Sequence, residues 1–202
     1  VGGAILRQLQ AQGGHDLITR TSAELDLTDQ AAVRDFMATE RPDVVILAGD
    51  IDKGTFGLRW ARTSFPNHEI IYVAGNHEYY MGVMEEVQAA MVKCAGELGI
   101  HLLENSSVEL EGVRFLGCTL WTDFDALTAA QAADGRLTPG EVLKARDKAF
   151  RAANFYLRKN HAFRDGQPML ADAVRELGLQ SQAWLRQALA IPFDGPTVVV
   201  TH

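Results

Sequence analysis

Apolar and polar positions along the chain predict helices and strands in alternation. Residues 2–12 carry Ile5, Leu6 and Leu9 and stop at Gly13-Gly14, the pattern of a short helix with a glycine end. Residues 15–20 read as a short strand. Thr28 is the predicted N-cap of a helix running to about residue 39, with Ala32, Val33, Phe36 and Met37 on one face; Pro42 ends that segment. Residues 43–50 (DVVILAGD) hold a continuous apolar run, which predicts a strand buried on both faces. A helix is predicted over 56–65, a strand over 69–74, and a helix over 84–98 with Val87, Met91, Cys94, Ala95 and Leu98 inward. Residues 107–110 and 113–117 form a predicted hairpin across Glu111-Gly112. A helical region with several breaks continues to about residue 190, and Pro196 leads into a last strand over 197–201. This alternation predicts an α/β fold with a largely parallel central sheet.

Composition narrows the function. With 202 residues, the chain holds one large domain, or a domain plus a fragment. Its net charge of −7 argues against general affinity for nucleic acid or for an anionic membrane surface. A small phosphorylated substrate stays open, because bound metal ions would dominate the field at a phosphate site. Cys94 and Cys118 are too few and too separated for a disulfide framework, and read as free buried thiols in a reducing, cytoplasmic setting. No apolar run reaches the length of a membrane helix, and no signal-peptide pattern opens the chain. Val1 opens on a helical pattern and His202 directly follows an apolar strand, so both ends read as cut.

Candidate chemistry gathers at strand ends. Asp50, Asn76 and His202 each follow a predicted strand, and ligands collect at the carboxyl ends of strands in open α/β sheets. Gly49 and Gly75 precede two of them, which allows sharp turns and close approach. A carboxylate that can bridge, an amide oxygen and an imidazole suit Mn, Fe or Zn better than Ca. Two such ions about 3.5–4 Å apart can clamp a phosphoryl group for in-line attack. His77 lies on the same turn as Asn76, in position to protonate a leaving alkoxide or to stabilise the transition state.

The stretches GDIDKG (49–54), VAGNHEYY (73–80), LGCTLWTDF (116–124) and VVVTH (198–202) resemble the calcineurin-like metallophosphoesterases over about residues 43–202. The resemblance implies a metallophosphoesterase-type αββα sandwich, incomplete at both ends, with two divalent ions. It makes Asp50 the bridging carboxylate and Asn76 and His202 ligands of the second metal, and sets His77 against the scissile phosphate. The family's opening Asp-x-His motif is absent from residues 1–202, as is its closing Gly-His-x-His motif. By that count the first metal keeps only Asp50.

Residues 1–48 carry a different resemblance. VGGAILRQLQAQG, LITRTSAELDLTD and AAVRDFMATERPDVVILA resemble the nucleotide-binding start of extended short-chain dehydrogenases of the GDP-L-fucose synthase kind, a Rossmann-like βα segment. That resemblance implies Arg20 near the ribose phosphate of NADP and Asp26-Leu27 near the adenine. The two resemblances meet inside the strand at about residues 43–49, so the chain reads as a chimera of two domains.

Other residues carry less. Asp52 and Lys53 read as solvated loop charges, with Asp52 also a candidate to line the substrate site. Trp121, Thr122 and Asp123 follow a strand and either line the site or pack. Tyr79-Tyr80 read as packing under the Gly75 loop. His101 reads as structural, and His68 and His161 as surface. The favoured function is hydrolysis of a phosphate mono- or diester. The alternatives are an NAD(P)-dependent sugar-nucleotide epimerase/reductase fragment and a non-catalytic remnant. No Tyr-x-x-x-Lys pair supports the first alternative, since Tyr72, Tyr79, Tyr80 and Tyr156 all lack a lysine four residues on.

Overall fold

A computed structural model of the chain describes residues 23–26 and 29–202. The predicted helix at 2–12, the strand at 15–20, Arg20, Leu27 and the cap residue Thr28 lie outside the described residues. The chain divides into two compact units, Val1–Asp43 and Val44–His202.

In the first unit, α1 (Gln30–Glu40) starts at Asp29. The Asp29 carboxylate accepts the amides of Ala31 and Ala32 at 3.0 and 3.1 Å, satisfying two of the free N–H groups at the helix start. The helix ends at Arg41 in a left-handed conformation, with φ 48°. The Asp29 amide donates to the Asp26 carbonyl at 3.0 Å.

The second unit builds two three-stranded sheets. The first contains β1 (Val44–Ala48), β2 (Glu69–Val73) and β3 (His101–Leu102) in parallel, with β2 in the middle. The second pairs β4 (Ser106–Leu110) antiparallel with β5 (Val113–Cys118), and β5 parallel with β8 (Thr197–Thr201). The predicted central sheet is therefore two sheets, and the strand pairs are mostly parallel as expected. Ile71, Val73, Leu103, Phe115 and Val200 form the layer between them. Approach there is close: a Cβ at Gly117 would sit 2.3 Å from Leu103 Cβ. Among the described residues this gives a mixed α/β architecture of the predicted sandwich class.

Helices α2 (Phe56–Ser64) and α3 (Met84–Leu98) cover the first sheet. Arg62 joins their C-terminal ends by donating to the carbonyls of Phe65, His68, Leu98 and Gly99 at 2.8–3.0 Å. Those carbonyls otherwise lack helical partners. The hairpin turn falls at Glu111-Gly112, both at positive φ (49° and 78°), which matches the right-handed strand twist.

One expectation fails. The strand at 43–50 was expected to be buried on both faces, yet only Val45 of β1 is buried and Ile46 is 40% exposed. Its only strand partner among the described residues is β2, which puts it at the edge of the described sheet. Past the exposed Glu69, β2 is fully buried: Ile70, Ile71, Tyr72 and Val73 have no exposed surface. Each such aliphatic side chain contributes about 1.5–3 kcal/mol.

The broken helical region resolves into α4 (Ala126–Ala133), α5 (Pro139–Leu157) and α6 (Ala171–Ala190), with the short hairpin β6 (Phe163–Arg164) and β7 (Gln167–Pro168) between the last two. Thr138 and Glu141 form a reciprocal capping box, and Pro139 opens α5. Asp125 ties the three helices together. Its carboxylate takes Arg146 Nε and Nη2 from α5 at 2.8 and 2.9 Å and Arg175 Nη2 from α6 at 2.8 Å. Burial opposes ionisation of Asp125, but the hydrogen bonds and charges of Arg146 and Arg175 outweigh it and hold the carboxyl below its usual range.

Because the folded pKa is depressed, this clamp contributes stability above the unfolded carboxylate pKa and loses it as pH falls through the folded value. Asp125→Ala should cost about 2 kcal/mol, between the worth of an exposed pair and that of a fully buried one. Urea unfolding of both proteins at pH 7 and at pH 3 should show the difference shrinking in acid.

Candidate metal centre

Two tight turns bring the predicted ligands together. After β1 the chain passes through Gly49 and Asp50 with φ of 83° and 59°. After β2 it turns at Gly75 into a short 3-10 segment, His77–Tyr79. Neither glycine can carry a side chain. A Cβ on Gly49 would meet the His202 ring at 2.2 Å, and a Cβ on Gly75 would meet Asp50 Oδ1 at 2.2 Å. Both glycines exist so that ligands can lie against the backbone.

Glu78 holds the two turns to each other. It is 1% exposed, and its carboxylate accepts four donors. Oε2 takes the amides of Asp50 (3.1 Å) and Gly75 (2.9 Å), and Oε1 takes the amide of Ile51 (2.9 Å) and the Tyr72 hydroxyl (2.8 Å). Burial first, then the Glu78 charge and hydrogen bond, push the Tyr72 phenol upward, so it remains a donor. The Glu78 carbonyl also accepts Gly54 N–H at 2.9 Å, closing the 50–54 loop.

On this frame Asp50, Asn76 and His202 converge. His202 Nε2 lies 3.3 Å from Asp50 Oδ2 and 3.3 Å from Asn76 Oδ1. Donors about 2.1 Å from one ion are spaced roughly 3.0–3.4 Å at octahedral to tetrahedral angles, so this spacing fits a shared cation. Neighbouring groups fix the orientation of two of the three. His202 Nδ1 lies 3.3 Å from the Ala48 carbonyl; a proton there leaves the Nε2 lone pair facing the two oxygens. Asn76 Nδ2 donates to the Tyr80 hydroxyl at 2.5 Å, which turns Oδ1 toward His202.

His77 joins the edge of this group. Its amide donates to Asp50 Oδ1 at 3.0 Å, and its Nε2 lies 3.6 Å from Asp50 Oδ2. The ring leans on Tyr80 with centroids 4.4 Å apart and is largely exposed. Among the described residues no cluster of three or more His, Cys, Asp or Glu side chains is placed to hold a metal ion, here or elsewhere; the group at this edge counts one carboxylate, one imidazole and one amide.

The ligand edge is not that of one sheet. Asp50 and Asn76 follow strands of the first sheet, and His202 follows β8 of the second. Trp121 and Thr122 border a cavity that reaches Asn76 and His202. Leu120, Trp121 and Phe124 have positive φ (66°, 45° and 62°), a concentration of strained backbone beside the ligands. Asp123 turns away, accepting Gln182 Nε2 and the Asp125 amide at 2.8 and 2.9 Å. Asp52 is exposed and accepts its neighbour's amide, Lys53 N, at 2.7 Å. Tyr79 and Tyr80, read from sequence as packing residues, both line the cavity.

The surrounding histidines and cysteines hold other places. His101 pairs with Glu69 at 3.1 Å, His161 is exposed, and His68 is half-buried with its ring edge-on to Phe65. Cys94 and Cys118 are buried free thiols. Burial and the Glu104 charge push the Cys118 thiol up to about 11.

A family model of calcineurin-like phosphoesterases matches residues 23–202. The chain belongs to that family. This calcineurin-like phosphoesterase is also similar to other proteins over shorter stretches. A putative GDP-L-fucose synthase 2 of Arabidopsis thaliana is 58% identical over 48 residues, 24% of this chain and 15% of that protein. GDP-L-fucose synthase 1 of the same plant is 36% identical over 103 residues, 51% of this chain and 27% of that protein. GDP-L-fucose synthase of Escherichia coli K12 is 54% identical over 48 residues, 24% of this chain and 15% of that protein. The chain thus spans between 15% and 27% of the length of these relatives. Among solved structures, a GDP-mannoheptose C4 reductase from Campylobacter jejuni with NADP bound is similar at 14% identity and a TM-score of 0.32, over 99% of this chain and 84% of that one. A TM-score of that size does not establish a shared fold.

Glu78 of this calcineurin-like phosphoesterase should be a positioning residue. Glu78→Gln keeps the shape but sets an amide N–H against buried donors, so it should cost about 2–4 kcal/mol of unfolding free energy. Denaturant melts check this; a change below about 0.5 kcal/mol would mean the two turns hold without it.

Proposed function

We propose that this protein is a metal-dependent hydrolase of a phosphate mono- or diester, working at Asp50, Asn76, His77 and His202. The observation that carries the reading is an imidazole nitrogen after β8 lying 3.3 Å from both a carboxylate oxygen and an amide oxygen, which two glycine turns present to it. These donors suit Mn, Fe or Zn. The family is known for a binuclear centre. Here the three donors fit one ion, and Asp50 is the residue that would reach a second.

When bound, a divalent ion supplies Lewis acidity toward a phosphoryl oxygen. The chain's own residues do the rest. Asp50, held by His77 N–H and by Glu78 through its own amide, keeps its carboxylate aimed into the site. Tyr80 keeps the Asn76 oxygen inward. His77 is open to solvent beside Asp50, where it can deliver a proton to the leaving oxygen.

The substrate is a small phosphorylated molecule. The net charge of −7 disfavours general binding to nucleic acid or to an anionic membrane surface. No helix among the described residues is long and apolar enough to cross a membrane. Two buried free cysteines fit a reducing compartment, and the reading puts the protein in the cytoplasm.

A second reading, part of an NAD(P)-dependent sugar-nucleotide enzyme, is supported by the identity to GDP-L-fucose synthases. Asp26 and Arg20 are the candidate cofactor contacts for it, and NADP binding by the full chain would test it.

Electron paramagnetic resonance with Mn²⁺ should detect a bound ion, and Asn76→Ala should weaken binding by at least about tenfold. With Mn²⁺ present, bis-p-nitrophenyl phosphate or p-nitrophenyl phosphate should be hydrolysed. His77→Ala should lower kcat by about 10²–10⁴ while keeping the ion. Failure of the wild-type chain both to bind Mn²⁺ and to turn over either ester would overturn the proposal.

A further inference from the structure

A cavity of about 440 Å³ opens beside the three converging ligands, within the range of about 300–1,000 Å³ that small molecules occupy. Asn76 and His202 form one end of it. The rest is built from the 119–124 loop after β5 and from the helical region, where Trp121, Phe124, Tyr156, Leu157 and Met169 line the wall together with Tyr80. No Lys, Arg, Asp or Glu lies among the lining residues. The wall is therefore apolar and aromatic, and its ionisable groups are His202 and tyrosines. Burial holds the Tyr79 and Tyr80 phenols upward, so both stay neutral at pH 7.

That chemistry selects an occupant. A second phosphate or a carboxylate in this space would lose its hydration and meet no cation. A flat uncharged ring would bury apolar area against five aromatic side chains and gain offset or edge contacts with them. At the mouth, Tyr156 is 66% exposed and stands edge-on to Phe155, extending the aromatic wall outward. Asn160, which hydrogen-bonds Tyr80, gives the wall one neutral polar group able to orient a ring substituent.

We infer that this cavity binds the uncharged aromatic group of a phosphoester whose phosphoryl end rests on Asp50, Asn76 and His202. The inference deepens the phosphoesterase reading and rests on it. It assigns specificity to the helical region, with Trp121, Phe124 and Tyr156 as its determinants.

Two calorimetric titrations of the full chain test it. In the first, 1-naphthol is titrated without metal. It should bind, and Ala153→Phe, which grows a ring from α5 into the cavity, should abolish that binding. Tyr156→Ala changes an exposed side chain and carries little risk to folding; it should weaken binding about threefold to tenfold. No binding of naphthol to the wild type, or binding indifferent to both substitutions, overturns the inference. If Mn²⁺ still binds in that case, the phosphoesterase reading stands without it. In the second titration, 1-naphthyl phosphonate is added with Mn²⁺ present. It should bind at least about tenfold tighter than naphthol, and at least about 30-fold tighter than methylphosphonate. The gain over naphthol should vanish in Asp50→Asn. Naphthol binding with no gain from the phosphonate also overturns the inference, and does so by removing the phosphoester on which it rests.

Discussion

The site depends on one buried carboxylate. Glu78 takes hydrogen bonds from the amides of Asp50, Ile51 and Gly75 and from the Tyr72 hydroxyl. Those donors belong to two loops more than twenty residues apart in sequence and to the central strand β2. Without a common acceptor, the buried Gly75 amide and Tyr72 phenol would be left unpaired, at about 1–3 kcal/mol each, and the part-buried amides of Asp50 and Ile51 would lose their partner. With it, the left-handed turn at Gly49-Asp50 and the tight turn at Gly75 are held in one arrangement. The acid completing the Gly-Asn-His-Glu sequence is thus turned inward and acts through the backbone, while the residues before it face outward.

That inward bracing makes the outward arrangement costly, and the cost is informative. An aspartate oxygen and an amide oxygen each lie 3.3 Å from one imidazole nitrogen, and with the ring proton on Nδ1, toward the Ala48 carbonyl, all three present lone pairs. Tyr80 and the Ala48 carbonyl occupy the hydrogens that could otherwise have separated them. Acceptors converging in this way repel unless a positive charge sits among them. The surrounding contacts keep these groups converging, an arrangement that suits the cation site proposed above.

Much of this was legible locally. The helix at 84–98, the strand at 197–201 and the turn at Glu111-Gly112 were readable because periodicity and turn chemistry are properties of neighbouring residues. Asp50, Asn76 and His202 were readable as a group because each ends a strand. The rest depended on partners distant in sequence. The 43–50 run looks like a central strand, but what lies beside a strand cannot be read from the strand itself, and among the described residues β1 has a strand neighbour on one side, β2. Two sheets rather than one follow from the register between β5 and β8, across more than eighty residues. The Asp125 clamp joins arginines on two later helices. Tyr80 reads as packing because nothing in its own neighbourhood tells that its hydroxyl orients the Asn76 amide. Asp123 shares a loop with Trp121, yet its carboxylate is taken by Gln182, a choice made by α6.

The division of labour in the second unit follows from these ranges. The loops at the ends of the two sheets carry the polar groups Asp50, Asn76 and His202. The helical region between β5 and β8 carries apolar and aromatic side chains on the cavity wall and keeps its charges for clamps such as Asp125 with Arg146 and Arg175. A charged group on that wall would have had to be paired or solvated, and either would alter the field at the three ligands. Keeping the wall neutral leaves the Asp50 carboxylate, beside Asn76 and His202, as the charge next to the inner end. On the proposed phosphoester reading, binding of the organic part of a substrate and handling of its phosphoryl part would vary separately: substitutions along α5 would tune what is bound, while the turns braced by Glu78 would keep the other end unchanged.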